Sequence, residues 1–146
     1  MAESMNVLTI EQMKELQALG CNVNKASRAY LVKDINNVID EKTHSARKEF
    51  TYDSETVTVE VLSAGYLLTP FGKEAVYAFT ATDILDLFIA VTTKSFVLKE
   101  QHFYTVDDSE GHHAQSCTSL LEALFKLLKI ALKDKQRKTL IEEAYE

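Results

Sequence analysis

The sequence of 146 residues has no tryptophan, one proline, four glycines and two cysteines. Two cysteines without CxxC spacing are too few for the disulfide framework of a small secreted domain. We therefore expect Cys21 and Cys117 to be free thiols in a reducing compartment. The low content of glycine and proline also excludes collagen-like and low-complexity chains. These absences predict an ordinary packed domain without covalent cross-links.

Long hydrophobic runs are also missing from the sequence. No uninterrupted apolar segment approaches the ~20 residues that a bilayer-spanning helix needs. The opening residues MAESMNVLTI lack the cationic start and apolar stretch of a secretory signal peptide. We therefore expect a cytoplasmic protein that does not insert into a membrane.

The composition is that of a globular domain, with 46% hydrophobic and 26% charged residues. A chain of this length can bury a sizeable core, so we expect one domain over residues 1–146 that needs no cofactor or structural metal. The formal net charge of −6 disfavours nonspecific binding to nucleic acid. Such binding requires a basic face that displaces counterions from the phosphates.

Two segments have the pattern of a helix start. Thr9 and Gln12 have the spacing of a capping box, and Gly20 is placed to end the helix that follows. Thr80 and Asp83 repeat the same spacing. The sequence therefore predicts helices that begin at Thr9 and at Thr80.

Several segments have the composition or alternation of strands. RAYLVKD (28–34) is predicted to be a strand, and TVTVEVL (56–62) alternates apolar and polar residues as a half-buried strand does. We expect the latter to pair with ARKEFTYD (46–53) through a turn at Asp53 and Ser54. Residues 35–46 fit either one helical turn or a structured loop.

Further strands are predicted around the second helix. The only proline lies in a predicted turn at residues 69–72, before a strand at residues 74–78. SFVLKE and HFYTVDD are expected to be two strands that turn near Glu100 and Gln101. Because strands and helices do not strictly alternate, we predict an α+β fold. A largely antiparallel sheet would pack against two or three amphipathic helices, with the C-terminal helix at the centre.

The last predicted helix begins near Ser119 and is apolar around most of its circumference, which predicts burial on several sides. Its polar side chains lie within one narrow arc: Glu122, Lys126, Lys129 and Lys133. KDKQRK (133–138) is interpreted as a solvated linker to a second amphipathic segment. That segment either folds back on the sheet of its own chain or packs on a second chain. In the second case, it and the apolar loop GYLLTPFG provide candidate interface residues for a homodimer or another protein: Leu140, Ile141, Tyr145, Tyr66, Leu67, Leu68 and Phe71.

The stretch VDDSEGHHAQSC (106–117) concentrates residues that can carry chemistry. A metal site would use His112 or His113 with Cys117, Asp107 and His102, but structural zinc sites use two well-spaced ligand pairs. A catalytic site would use Cys117 as the nucleophile, with His113 or His112 as the base. No orienting group or oxyanion loop accompanies these residues. We therefore interpret the stretch as a turn that leads into a helix N-terminus.

Three segments of this chain, LTIEQMKELQALGCNVNKAS, YAFTATDILDLF and TSLLEALFKLLKIAL, resemble a family of small proteins encoded in Bacteroidales genomes, often in prophage-like regions. The family shares an opening LTxEQMxxLxxLG, then K-A-S, a central FTxxDILDL and a closing SLLEA-type helix. The matching residues here are 8–20, 25–27, 79–87 and 119–123. The resemblance implies a common fold and a bacterial, prophage-related origin. It implies no activity, and residues 34–72 depart from the family pattern.

These observations favour a noncatalytic binding or accessory protein that acts through protein–protein contact. The alternative is a small enzyme or metal-binding protein that uses Cys117 with His112 or His113. No nucleotide-binding, metalloprotease or hydrolase motif is present in the sequence.

Overall fold

The computed structural model describes residues 7–59 and 75–145, with side chains as far as Thr139. The helices within these ranges are α1 (Ile10–Ala18), α2 (Ala81–Leu85) and α3 (Leu120–Tyr145). The strands are β1 (Arg28–Asp40), β2 (Ser45–Thr58), β3 (Val76–Ala78), β4 (Val91–Leu98), β5 (Gln101–Asp108) and β6 (His113–Ser116). A short 3-10 turn, Val23–Lys25, connects α1 to β1.

The strands form two antiparallel sheets of three strands each, in the orders β2-β1-β3 and β4-β5-β6. Helix α3 packs on β5 and β6 and against α2, while α1 packs on β3. The predicted α+β class, with an antiparallel arrangement and a central C-terminal helix, is confirmed. Strand β6 was not predicted, because its four residues, HAQS, are too few to show a period.

Both predicted helix starts are confirmed. The Thr9 hydroxyl accepts a hydrogen bond from the Gln12 backbone N–H, and the Gln12 side chain accepts one from the Thr9 N–H. Thr80 and Asp83 make the same reciprocal pair at the start of α2. Helix α1 ends at Ala18, and Gly20 follows its C-cap with a φ of 88°, the left-handed conformation that glycine adopts without a Cβ clash.

The main core forms where α3 meets α1, α2 and β5. Ala123, Leu124 and Leu127 of α3 are fully buried. They share one apolar cluster with buried side chains from the neighbouring elements: Leu8, Met13, Leu16, Phe79, Ile84 and Val106. Val76 and Tyr77 of β3 pack against the same cluster. Helix α3, which is buried on more than one side as its sequence predicts, therefore shares a core with both sheets.

Helix α3 continues without interruption through residues 133–138, so the predicted linker is wrong. Lys, Gln and Arg are good helix formers, and the segment contains no glycine or proline that would end the helix. A tertiary contact also holds this part of α3, because the Gln136 side-chain amide donates a 2.9 Å hydrogen bond to the Leu19 carbonyl at the end of α1.

The predicted turn at Asp53 and Ser54 is also wrong, because both residues lie within β2, at a bulge where its pairing with β1 shifts between Tyr30–Thr56 and Val32–Tyr52. Residues 35–40, which the sequence left open, continue β1 as a strand. The hairpin turns instead at residues 41–44, where His44 has a φ of 56°. The Asp40 carboxylate and carbonyl accept hydrogen bonds from the backbone of Lys42 and His44, which closes this turn.

The predicted hairpin between SFVLKE and HFYTVDD is present as β4 and β5. Its turn lies at Lys99 and Glu100, one residue before the predicted position. Both residues have positive φ, 52° and 68°, as in the type I′ turns that match the twist of paired strands.

Some predictions fall outside the described residues. The turn at residues 69–72 and the interface candidates Tyr66, Leu67, Leu68 and Phe71 lie in the segment between residues 59 and 75. The other interface candidates, Leu140, Ile141 and Tyr145, belong to the part of α3 whose side chains are not described. Dimerisation through either group remains a prediction.

Replacing Leu124 by alanine tests the central position of α3. Leu124 has no exposed surface, so Leu124→Ala should lower the free energy of unfolding by about 2–5 kcal/mol, the usual cost of a core cavity. Lys133→Ala, on an exposed position of the same helix, should change it by less than about 0.5 kcal/mol. Urea denaturation measures both, and equal midpoints would contradict the burial of this face.

Candidate functional site

The most concentrated polar contacts among the described residues are made by Asp108, His112 and Asp134, which we call the His112 cluster. His112 Nδ1 lies 2.7 Å from Asp108 Oδ2, and His112 Nε2 lies 2.9 Å from Asp134 Oδ2. The Asp108 and His112 side chains retain only 3% and 12% of their accessible surface. One imidazole therefore connects the β5–β6 turn to helix α3.

The turn between β5 and β6 positions the first two members of the cluster. One oxygen of the Asp108 carboxylate accepts hydrogen bonds from the backbone N–H groups of Glu110 and His112. Gly111 has a φ of 90°, a conformation that side-chain-bearing residues rarely adopt. This local geometry leaves the second Asp108 oxygen directed at the His112 ring, while α3 supplies Asp134 from the other side.

The contacts favour the charged form of every member of the cluster. Hydrogen bonds to Asp108 and Asp134 raise the pKa of His112 above its ordinary value. Burial opposes ionisation of Asp108, but the hydrogen bonds that it accepts from His112 and Glu110 outweigh this effect and lower its pKa. Hydrogen bonds from His112 and Lys138 lower the pKa of Asp134 to about 2.

An imidazole whose two nitrogens both face carboxylates is best described as an imidazolium that donates two hydrogen bonds. In that state it has no lone pair for a general base or a metal ion. The cluster can therefore hold a turn against a helix, whereas proton transfer would first require His112 to release one carboxylate.

Asp108, Glu110 and His112 also offer ligand atoms that all lie within 4.8 Å of one another. Such a group can in principle hold a cation. However, the 2.7 Å contact between His112 Nδ1 and Asp108 Oδ2 has the length of a direct hydrogen bond. A metal ion at this position would have to replace that hydrogen bond and one proton of the imidazolium.

The structure separates the other residues singled out from the sequence. His113 contacts Asp107 at 2.7 Å on an exposed surface, and His102 stacks with Tyr104 near the end of the β4–β5 hairpin. Cys117 is exposed and follows β6, whereas His113 begins it. At ~3.3 Å per residue, the four steps along the extended chain from His113 to Cys117 span about 13 Å, so the two residues do not form a pair in this geometry.

His112 is among the candidate residues predicted from the sequence, but its partners Asp108 and Asp134 are not. Asp108 lies four residues before His112, and this spacing within a predicted turn was the available indication. Asp134 was assigned to a linker, and only the uninterrupted helix brings it to His112. A contact across 22 residues has no local pattern that sequence periodicity can detect.

A groove of about 610 Å³ lies beside the His112 cluster, between α3, the end of α2 and the β5–β6 turn. Cys21 is half-buried in its wall, and this burial raises the pKa of its thiol. Apolar residues form much of the lining: Leu87, Phe88, Ile89, Leu128, Ala131 and Leu132. The charged lining residues carry both signs: Asp108, Glu110, Asp134, Lys135 and Lys138. The groove can admit a small amphipathic group, but its charges select no particular ligand.

A second surface lies far from this groove in the chain. Residues 34–40 of β1 and 45–51 of β2 form a two-stranded ribbon, which we call the hairpin arm. Among the described residues, no third strand joins this part of β1, because β3 pairs only with residues 28–30. Most side chains of the arm are exposed.

The two faces of the hairpin arm differ in polarity. Ile35 is opposite Phe50, and Ile39 is opposite Ala46, so these four side chains share one face. Ile39 retains 68% of its accessible surface. The other face carries four charged residues, Asp34, Asp40, Arg47 and Glu49, of which Arg47 and Glu49 form an ion pair, whereas the apolar face carries one, Lys48. The arm is therefore amphipathic, although the described residues place no core against its apolar face.

No protein-family model, curated protein or solved structure matches this chain. In the described part of the chain, no helix combines the length and apolar character needed to cross a membrane.

The His112 cluster should make stability depend on pH. Because His112 binds its proton more tightly in the folded protein, its stabilisation is complete below its ordinary pKa of 6.5 and is lost as pH rises through the raised value. The lowered pKa values of Asp108 and Asp134 set the acid limit, so their stabilisation is lost as pH falls through those values.

We therefore expect the free energy of unfolding of the wild type to exceed that of His112→Gln, and the difference to be largest between about pH 4 and 6.5. The difference should shrink at higher pH, as measured by urea denaturation across the range. His113→Gln is the matched control at an exposed position and should cost less. A difference between the wild type and His112→Gln that does not change with pH would show that the charged bridge is not formed.

The two cysteines should differ in reactivity. Cys117 is exposed, whereas burial hinders access to the Cys21 thiol and raises its pKa. Iodoacetamide should therefore label Cys117 first, because alkylation requires an accessible thiolate. Mass spectrometry of partially labelled protein, with Cys117→Ser as the control, measures the order. Preferential labelling of Cys21 would show that the groove opens in solution.

Proposed function

We propose that this chain is a noncatalytic, cytoplasmic binding protein that contacts another protein through the apolar face of the hairpin arm. The observation that carries the proposal is the exposure of Ile35, Ile39 and Phe50 on one face of a two-stranded ribbon. Exposed apolar side chains that share a face are typical of protein-interaction surfaces.

The energetics of the arm support this proposal. A two-stranded ribbon is at best marginally stable in water by itself, because it lacks a layer against which to bury its apolar side chains. Among the described residues, the outer part of the arm has neither a third strand nor a covering helix. A partner that covers the apolar face would remove this surface from water and would order the arm.

The charge on the apolar face indicates the chemistry of the partner. Lys48 lies opposite Asn37, between the Ile35–Phe50 and Ile39–Ala46 pairs. No described residue makes an ion pair with Lys48. Face-to-face packing of two arms about this centre would bring two lysines together, which is unfavourable. We therefore propose a different protein, with an apolar surface that carries a carboxylate opposite Lys48.

Two observations favour this proposal over catalysis or metal binding by Cys117 with His112 or His113. His112 already contacts a carboxylate through each ring nitrogen, and about 13 Å of extended chain separates His113 from Cys117. We also propose a bacterial, prophage-related origin, which rests solely on the resemblance of three sequence segments.

A pair of substitutions at neighbouring positions tests the role of the apolar face. Ile39→Asp places a charge on that face, whereas Val38→Asp places the same charge on the opposite face, across from Arg47. A tagged wild-type protein and the Val38→Asp variant should retain the same partner from a lysate of the source organism. Ile39→Asp should reduce its recovery at least about tenfold, because an unpaired charge is costly to bury.

Reconstitution of the interaction with the purified partner completes this test. Charge reversal by Lys48→Glu should weaken binding, and the loss should diminish at high salt because salt screens the repulsion. Equal recovery with the two aspartate variants, or binding that does not respond to Lys48→Glu, would contradict docking on this face.

A further inference from the structure

Strand β4 is an exposed edge of the sheet β4-β5-β6. It pairs with β5 on one side, and no other described strand adjoins it. Every residue from 92 to 98 is exposed, and Leu98 retains 58% of its accessible surface. An edge of this length presents a row of backbone donors and acceptors that another strand can pair with.

The composition of β4 favours strand pairing. The sequence VTTKSFVL is rich in β-branched residues and contains neither proline nor glycine. Its one charge is Lys94, and no described residue makes an ion pair with it. Natural edge strands are commonly protected by charged side chains, especially lysine, by a bulge or by a proline. In the described part of the chain, Lys94 is the one such protection at β4, because the strand contains no proline and pairs with β5 without a bulge.

We propose that β4 pairs antiparallel with β4 of a second copy of this chain, so that two three-stranded sheets become one six-stranded sheet. Antiparallel pairing of identical edges satisfies a two-fold axis perpendicular to the sheet, the commonest symmetry of homodimers. This dimer uses a surface separate from the hairpin arm, so it does not depend on the partner proposed above.

The exposed segment also determines the register. Residues 92–98 pair over their full length only if the two-fold axis passes through Ser95, which then lies opposite Ser95 of the second copy. In this register Thr92 faces Leu98, and Thr93 faces Val97. Lys94 faces Phe96, whose ring stacks on Phe103 of its own chain at a centroid distance of 5.4 Å. A lysine beside an aromatic ring is a favourable neighbour.

The alternative registers are less favourable. Neighbouring side chains point to opposite faces of a strand, and residues opposite each other must share a face. The axis can therefore pass through a residue but not between two residues. An axis through Lys94 would place the two lysines directly opposite each other, which is destabilising. An axis through Phe96 would leave Thr92 and Thr93 without partners. The Ser95 register gives the longest pairing without a like-charge contact.

A cysteine cross-link tests both the dimer and its register. In a Cys117→Ser background, Ser95→Cys places two thiols at the axis, where opposed Cα atoms are about 4.5–5.5 Å apart, within the range that a disulfide spans. Thr93→Cys is the matched control on the same face, and its two copies lie about 13 Å apart. After oxidation by copper phenanthroline, Ser95→Cys should give at least about tenfold more cross-linked dimer than Thr93→Cys.

A charge pair at position 96 gives an independent measurement. Phe96→Lys places a second cation opposite Lys94, whereas Phe96→Glu places a carboxylate there. Both variants lose the stack on Phe103, so a difference between their dissociation constants measures the effect of the charge at position 96. The dissociation constant of the Phe96→Lys dimer, measured by analytical ultracentrifugation, should be about tenfold higher than that of Phe96→Glu.

Three outcomes would overturn the proposal. The first is a wild type that sediments as a monomer at every concentration. The second is equal cross-linking of Ser95→Cys and Thr93→Cys. The third is equal association of the two Phe96 variants. Circular dichroism identifies any variant that does not fold. If a Phe96 variant does not fold, the cross-link still decides the register, because Ser95 and Thr93 lie at exposed positions.

Discussion

Burial of helix α3 is the constraint on which the rest of the described structure depends. Leu124 and Leu127 are fully buried, and the cluster around them includes side chains from α1, α2 and β5. Polar contacts attach the same helix at its rim, where Glu122 accepts a hydrogen bond from Gln12 and Lys129 pairs with Glu15. Because Val76 and Tyr77 of β3 pack against the same cluster, α3 holds residues of both sheets.

The uninterrupted course of α3 also creates the His112 cluster. Asp134 lies beyond the most buried turns of the helix, yet the same rigid element carries its carboxylate to the β5–β6 turn. There it meets an imidazole already held by Asp108. An ion pair that bridges a turn and a helix in a largely water-excluded position restricts both, although its net stabilisation is offset by desolvation. The main effects of the cluster are therefore to hold the β5–β6 turn against α3 and to make the stability of the fold depend on pH.

The features predicted correctly from the sequence are those specified by neighbouring residues. The capping boxes at Thr9 and Thr80 satisfy backbone donors within three residues, and the apolar circumference of α3 follows from helical periodicity. Strand pairing was predicted incorrectly at β2, because alternation identifies a half-buried strand but does not identify its partner.

The prediction of a linker at residues 133–138 was wrong for a related reason. A run of charged residues was read as solvated chain, although such residues are compatible with helix, and the Gln136 contact to Leu19 holds the helix in place. The partners of His112 were missed because their approach is tertiary. In each case the missing information concerned contacts between segments distant in sequence.

The core around α3 and a second, smaller cluster of Val7, Tyr30 and Ala78 have a geometric consequence for the two long hairpins. The core includes Val106 of β5, whereas residues 92–98 of the adjoining strand β4 are exposed. In the other sheet, the inner part of β1 is buried at Ala29 and Tyr30, but residues 33–37 are exposed. Each sheet is therefore anchored by its inner residues and extends beyond the layer that covers it. The buried residues determine where the exposed part of each hairpin begins. The surface available for recognition lies in these exposed parts, the hairpin arm and strand β4.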